Sequence, residues 1–185
     1  MMTSPKRPNK HVIAGIGLVL LAAASALFSG CAGYQVGTRP PEGVKTVYIA
    51  PPVNRSGEPM IESRIMHEIT RELQQDGTFA LASESGADAR LEIVLRDYRL
   101  QPLAYEDVEE ARTREYRMKI RADVTLRRTE SGAVIAERAG VLGESDFFVN
   151  APLGGIDLPS SKRIGLIPAA QDLAENIIDA VVERW

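Results

Sequence analysis

Between Thr113 and Arg128 (TREYRMKIRADVTLRR) apolar and polar positions take turns almost without interruption. Tyr116, Met118, Ile120, Ala122, Val124 and Leu126 fall on one side of an extended chain, and Arg117, Lys119, Arg121, Asp123, Thr125 and Arg127 on the other. A period of two is the mark of a strand buried on one face. Ala89 to Leu100 repeats it more briefly, with Leu91, Ile93 and Leu95 set against Glu92 and Arg96. Val44 to Ala50 is rich in β-branched and aromatic residues and reads as a strand, closed by Pro51-Pro52 because proline cannot donate to a ladder. Glu130-Ser131-Gly132 reads as a tight hairpin. Val134 to Val149 then returns as an antiparallel strand whose Gly140 and Gly143 suggest a bulge or bend.

Two stretches change to the helical period. Ile61, Ile65, Met66, Ile69 and Leu73 line one face of a helix, with Pro59 suited to its first turn and Gly77 to its stop. Arg64 and Glu68 stand four apart and are expected to pair on its exposed side, and His67 lies off the apolar stripe. From Ile164 to Trp185, Leu173, Ile177, Ala180, Val181 and Arg184 recur at the same spacing, and Pro168 either starts or kinks that helix. Residues 54–58, 83–86, 101–111 and 150–161 read as turns and loops. The order β-α-β-β-β-α predicts an α+β two-layer sandwich, two helices packed on one face of a mainly antiparallel four-stranded sheet. Helices on one face leave the other bare, so the row Arg117, Lys119, Arg121 and Arg127 must look away from them. That row is either a solvated face or a surface for a partner or an anionic ligand.

The first thirty residues follow another pattern. Lys6, Arg7 and Lys10 precede seventeen uncharged residues, Val12 to Phe28, and no acidic residue occurs before Glu42. The run is long enough for a short membrane span. A basic start, an apolar run and a small-residue boundary are also the three parts of a signal peptide. At the boundary stands the chain's single cysteine, in Phe28-Ser29-Gly30-Cys31, which resembles a bacterial lipobox. The resemblance implies cleavage after Gly30, a diacylglycerol thioether on Cys31 and acylation of the new amine. Several acyl chains anchor a protein without any spanning helix. Ala32, in place of an aspartate, fits delivery to the outer membrane in proteins of this kind. The chain then divides into a signal peptide (1–30), a lipidated tether (31–43) and one α+β domain (44–185).

With 185 residues, 44% of them hydrophobic, the chain has enough material for one ordinary core. Removing residues 1–30 takes away three positive charges from a chain already at −3, so strong attraction to nucleic acid is not expected. The mature chain keeps one histidine, His67, and no thiol beyond Cys31, which supports neither a metal site nor a nucleophilic triad. Glu106, Asp107, Glu109 and Glu110 form an acidic loop that reads as solvated. No catalytic residue, metal ligand or cofactor site is expected.

The stretch from Cys31 through Gly33-Tyr34, the strand ending in proline, the turn Asn54-Arg55-Ser56-Gly57-Glu58-Pro59 and the helix after it resembles the lipopolysaccharide-assembly lipoprotein family (LptE-like). The resemblance rests on residues 31–73 by motif and on most of the mature chain by element order. It implies a non-enzymatic outer-membrane protein, lipid-anchored and facing the periplasm. Such a protein sits in the lumen of a large β-barrel translocon (LptD-like), helps it assemble, plugs it and contacts lipopolysaccharide. The basic row, Arg117, Lys119, Arg121 and Arg127, is then the candidate contact with phosphates or with the barrel. The alternative is a periplasmic lipoprotein that activates a cell-wall synthase or belongs to a secretion channel.

Overall fold

The computed structural model describes residues 41, 43–105, 113–149 and 158–182, all within one unit, Thr38–Trp185. Cys31, most of the expected tether and the acidic loop at 106–110 lie outside the described residues. Strands β1 (Thr46–Ile49) and β2 (Val53–Asn54) precede helix α1 (Glu62–Asp76). Then follow β3 (Ala80–Leu81), β4 (Ala89–Tyr105), β5 (Thr113–Arg128), β6 (Val134–Phe148) and helix α2 (Leu158–Val182). The sheet runs β3-β1-β4-β5-β6, with β2 beside β4. The expected two-layer α+β arrangement is present, with β2 and β3 as two short additions. Crossing through α1 makes β1 parallel to β3 and β4, whereas β4, β5 and β6 form an antiparallel meander.

Alternation fixes the core. Leu91, Ile93, Leu95, Met118, Ile120, Ala122, Val124 and Leu126 are all buried and meet Ile65, Ile69 and Leu73 of α1 and Leu173, Ile177 and Ile178 of α2. Tyr116 stacks on Phe147, centroids 5.7 Å apart, at the far end of this layer. At the near end Asp88 clasps β1 to β4. Its carboxylate accepts from the Lys45 and Thr46 amides and the Thr46 hydroxyl, each at 2.9 Å, and the first of these above all holds its carboxyl below the ordinary carboxylate range.

Four local expectations need correction. Pro59 does not open α1. The helix begins at Glu62, and Met60 takes a left-handed conformation with φ of 64°. The Asn54 side chain holds the turn in place, donating to the Glu58 carbonyl (2.7 Å) and to Glu62 Oε1 (2.9 Å) while its oxygen accepts from the Ser56 amide and hydroxyl. Glu68 pairs with Arg64 as expected (3.3 Å) and also with Arg71 (3.0 Å), but it is only 3% exposed beneath these two guanidiniums. Residues 101–105, expected in a turn, belong to β4, and residues 158–161, expected in a loop, belong to α2, with Pro168 inside that helix. Proline leaves the Ile164 carbonyl without a helical donor. One position on, the Gly165 carbonyl accepts from the Ser145 hydroxyl at 2.7 Å, so β6 supplies polar contact at the break.

The two glycines of β6 serve different ends. Gly140, with φ of 69°, makes the bulge that shifts the β5–β6 register between Ala122 and Val124. Gly143 makes room for α2: a Cβ there would lie 2.4 Å from Leu173 Cβ and 2.5 Å from the Ala169 carbonyl oxygen. Gly77 behaves as expected, capping α1 in the left-handed conformation with its amide on the Leu73 carbonyl (3.2 Å). Gly143→Ala should therefore destabilise the domain by about 1–3 kcal/mol in urea titrations, the usual range for overpacking. Leu173→Ala in the same chain should not restore it, because the clash is with Cβ and backbone. An unchanged midpoint for Gly143→Ala would show that α2 moves away freely.

Candidate functional site on the open face of the sheet

Both helices pack on one face, so every second residue of β4, β5 and β6 faces away from them. Arg117, Lys119, Arg121 and Arg127 all stand on this open face, as the alternation required. They do not form a free basic stripe. β6 sets acids directly opposite: Asp146 faces Arg117 and Glu144 faces Lys119. Arg117 holds Asp146 through two parallel bonds, Nε to Oδ1 and Nη2 to Oδ2, each 2.7 Å. Lys119 Nζ lies 3.1 Å from Glu144 Oε1, and Arg127 Nε 3.1 Å from Glu92 Oε2 on the other flank. Cross-strand opposite charges of this kind stabilise a sheet and hold long side chains in place.

Arg121 differs. It faces Leu142 on β6 and Asp97 on β4, and Asp97 is already engaged by Arg99 at 2.7 Å. Among the described residues Arg121 makes no ion pair, and it is exposed. Beside it lies a cleft of about 390 Å³ edged by Asp97, Arg99, Gln101, Pro102, Lys119 and Arg121. Three cations converge there, and only Arg121 has no committed carboxylate.

Arg96, which the alternation already set on the polar side, and Arg99, which the sequence reading did not single out, extend the charged face onto β4. A bulge at Leu95/Asp97 turns the strand over, so that Tyr98 and Leu100 continue the apolar side while Arg96 and Asp97 both face out. The signal was present as a phase change from Leu91, Ile93, Leu95 to Tyr98, Leu100. Arg96 Nε bonds Asp123 Oδ2 at 2.6 Å, and the Gly140 amide bonds Asp123 Oδ1 at 2.9 Å. The Gly140 amide first, and Arg96 after it, hold the Asp123 carboxyl below its ordinary range. The bulge in β6 is thereby tied to the charge lattice of β5. His67 stands exposed on α1, off its apolar stripe as expected.

The arrangement offers ordered, mixed charge with one uncommitted guanidinium, suited to recognising a polar or anionic surface. The Arg117 guanidinium holds the Asp146 carboxyl below its usual value, chiefly through its hydrogen bonds. A depressed carboxyl adds stability above its unfolded pKa, and that stability is lost as pH falls through the folded value. Arg117→Gln should therefore move the Asp146 titration up toward an ordinary carboxylate in carbon-detected NMR. The change in neutral-pH stability should be small, since both partners are 37% exposed and solvent screens them. An unmoved Asp146 titration would remove Arg117 as the cause.

A family model, LptE, lipopolysaccharide-assembly, matches residues 44–184. No curated protein matches the chain. Among solved structures it is similar to a putative lipoprotein from Caulobacter crescentus CB15, at 12% identity and TM-score 0.48, over 70% of this chain and 87% of that one. It is also similar to lipoprotein GNA1162 from Neisseria meningitidis, at 14% identity and TM-score 0.39, over 60% and 88%. A third likeness is to the PelC dodecamer from Paraburkholderia phytofirmans, at 16% identity and TM-score 0.47, over 81% and 96%.

Proposed function

We propose, since the chain belongs to the lipopolysaccharide-assembly (LptE) family, that it is a non-catalytic outer-membrane lipoprotein. It acts by docking its charged sheet face against a β-barrel lipopolysaccharide translocon. Acyl chains on Cys31 hold it to the periplasmic leaflet, and the domain occupies the barrel lumen, supporting assembly and plugging the pore. The observation that carries this reading is the open sheet face, polar throughout β5 and fixed by cross-strand ion pairs. Lumens of such barrels are polar, so a polar, ordered face fits where an apolar one would not. Lipopolysaccharide phosphates are the ligand that suits the cleft at Arg121, because Arg and Lys give strong charge-assisted bonds to phosphate.

Two experiments test the reading. Pull-down of the chain from detergent-solubilised outer membranes should recover a large β-barrel; recovery of a cell-wall synthase instead would favour the alternative partner class. Mass spectrometry of the same material should show an acylated amino-terminal Cys31, lost in Cys31→Ser, whereas an unmodified terminus at residue 31 would remove the anchor. For the ligand, Arg121→Glu should weaken lipopolysaccharide binding about tenfold in surface plasmon resonance, equivalent to one charge-assisted contact of roughly 1.4 kcal/mol. Arg117→Gln should weaken it less, since Arg117 is committed to Asp146. Equal effects of the two variants would discard the Arg121 cleft as the contact.

A further inference from the structure

A second cleft lies on the helix side of the sheet, away from the charged face. Its volume is about 560 Å³, and Met60, Ile61, Tyr98, Leu158, Leu166 and Lys162 line it. Three segments distant in sequence build it: the turn before α1, the middle of β4 and the first turns of α2. Lys162 joins them, its ammonium 2.8 Å from Glu58 Oε1 and 5.3 Å from the centre of the Tyr98 ring. Arg163 stands beside Lys162, so two cations face the single carboxylate of Glu58 and the mouth is net positive. Burial, and after it the charge of Glu58, hold the Tyr98 phenol above its ordinary pKa, so it stays a neutral donor.

Met60 gives the cleft its character. It is the one residue other than glycine with positive φ among the described residues, and it is 84% exposed. An L side chain disfavours that conformation, and exposure of a large apolar group gains nothing in the free protein. Strained backbone that the surroundings enforce is a feature of binding sites. Here the Asn54 bonds to the Glu58 carbonyl and to Glu62 Oε1 bracket it on both sides, and the thioether stands at the edge of an apolar cleft. A polar barrel wall does not complement such a surface.

We infer that this cleft binds the acyl chain of an anionic amphiphile, Lys162 and Arg163 taking the head group and Met60 closing over the chain. The apolar lining selects a hydrocarbon tail, the two cations select a negative head, and the volume is that of a small-ligand site. On binding, the head group replaces Glu58 as the partner of Lys162. The site is separate from the sheet face and does not depend on it, so failure of either leaves the other standing.

Photolabelling of the full chain in phosphatidylcholine nanodiscs by a diazirine-bearing dodecyl phosphate tests the inference. Labels should concentrate on peptides containing residues 58–61 and 158–166. Unlabelled dodecyl phosphate should compete about tenfold better than dodecyltrimethylammonium or inorganic phosphate. Lys162→Gln should lower labelling by a similar factor. Met60→Gly provides the reading that a structural role would not give: relief of the left-handed strain should raise the melting temperature, while labelling falls. Thr125→Ala, on the opposite face of the sheet and outside both clefts, should leave labelling of these peptides unchanged. Labels spread evenly along the chain, equal competition by the cationic amphiphile, or full labelling in Met60→Gly would each overturn the proposal.

Discussion

Two helices can cover only one face of this sheet, and the rest of the molecule answers to that asymmetry. Every second side chain of β4 and β5 must be apolar to meet α1 and α2, and the intervening ones must tolerate water. Leu91, Ile93, Leu95, Met118, Ile120 and Leu126 are completely or almost completely buried as a result. Burial of a side chain of this size is worth roughly 1.5–3 kcal/mol each. The covered face therefore fixes the register, because a slip by one residue would carry the whole set into solvent. Close approach of α2 completes the layer, and it is available only because Gly143 and Gly165 present no side chain to Leu173 and Phe147.

The uncovered face inherits a constraint of its own. Long cations on one strand would repel each other if left alone, and β6 and β4 supply the acids that neutralise them. Exposed pairs contribute about 0–1 kcal/mol each, far less than the core. Their effect is instead to fix the positions of Arg117, Lys119 and Arg127, so that the face meets a partner with little side-chain entropy left to lose. Arg121 breaks the pattern because its neighbours are an apolar residue and a carboxylate already taken. What began as a row of four equivalent cations is a row with one available member.

Although the two-residue strands β2 and β3 are too short to show a period, the sequence made β1, most of β4, β5, β6, both helices and the identity of the open face legible, because periods of two and 3.6 are local properties. Gly77 and the Gly132 turn were legible for the same reason, each being a position that requires positive φ. The acids opposite Arg117 and Lys119 were not, since pairing across strands depends on register and Asp146 is 29 residues away from its partner. The phase change at Arg96 was written in the chain but needs the bulge to be understood. Pro168 left two readings open, and its place inside α2 removes the one in which it starts the helix; the Ser145 hydroxyl supplies polar contact beside it. The cleft at Met60 could not be read at all: its walls come from residues 58–61, 98 and 158–166, joined by Lys162 across 104 positions.

The two layers thus present opposite chemistries. The sheet face is wet, charged and internally balanced, and complements a polar wall. The helix side carries an apolar cleft with a positive mouth, while Ile164 and Phe148, 57% and 60% exposed, line a separate pocket at the edge of β6. In the proposed docking to a barrel, the charged face meets the polar lumen and the cleft is left to an apolar ligand, so each has its own complement. The asymmetry imposed by two helices on one sheet is in that sense more than a packing solution. It is what allows a domain of one core to present two chemistries without either surface compromising the other.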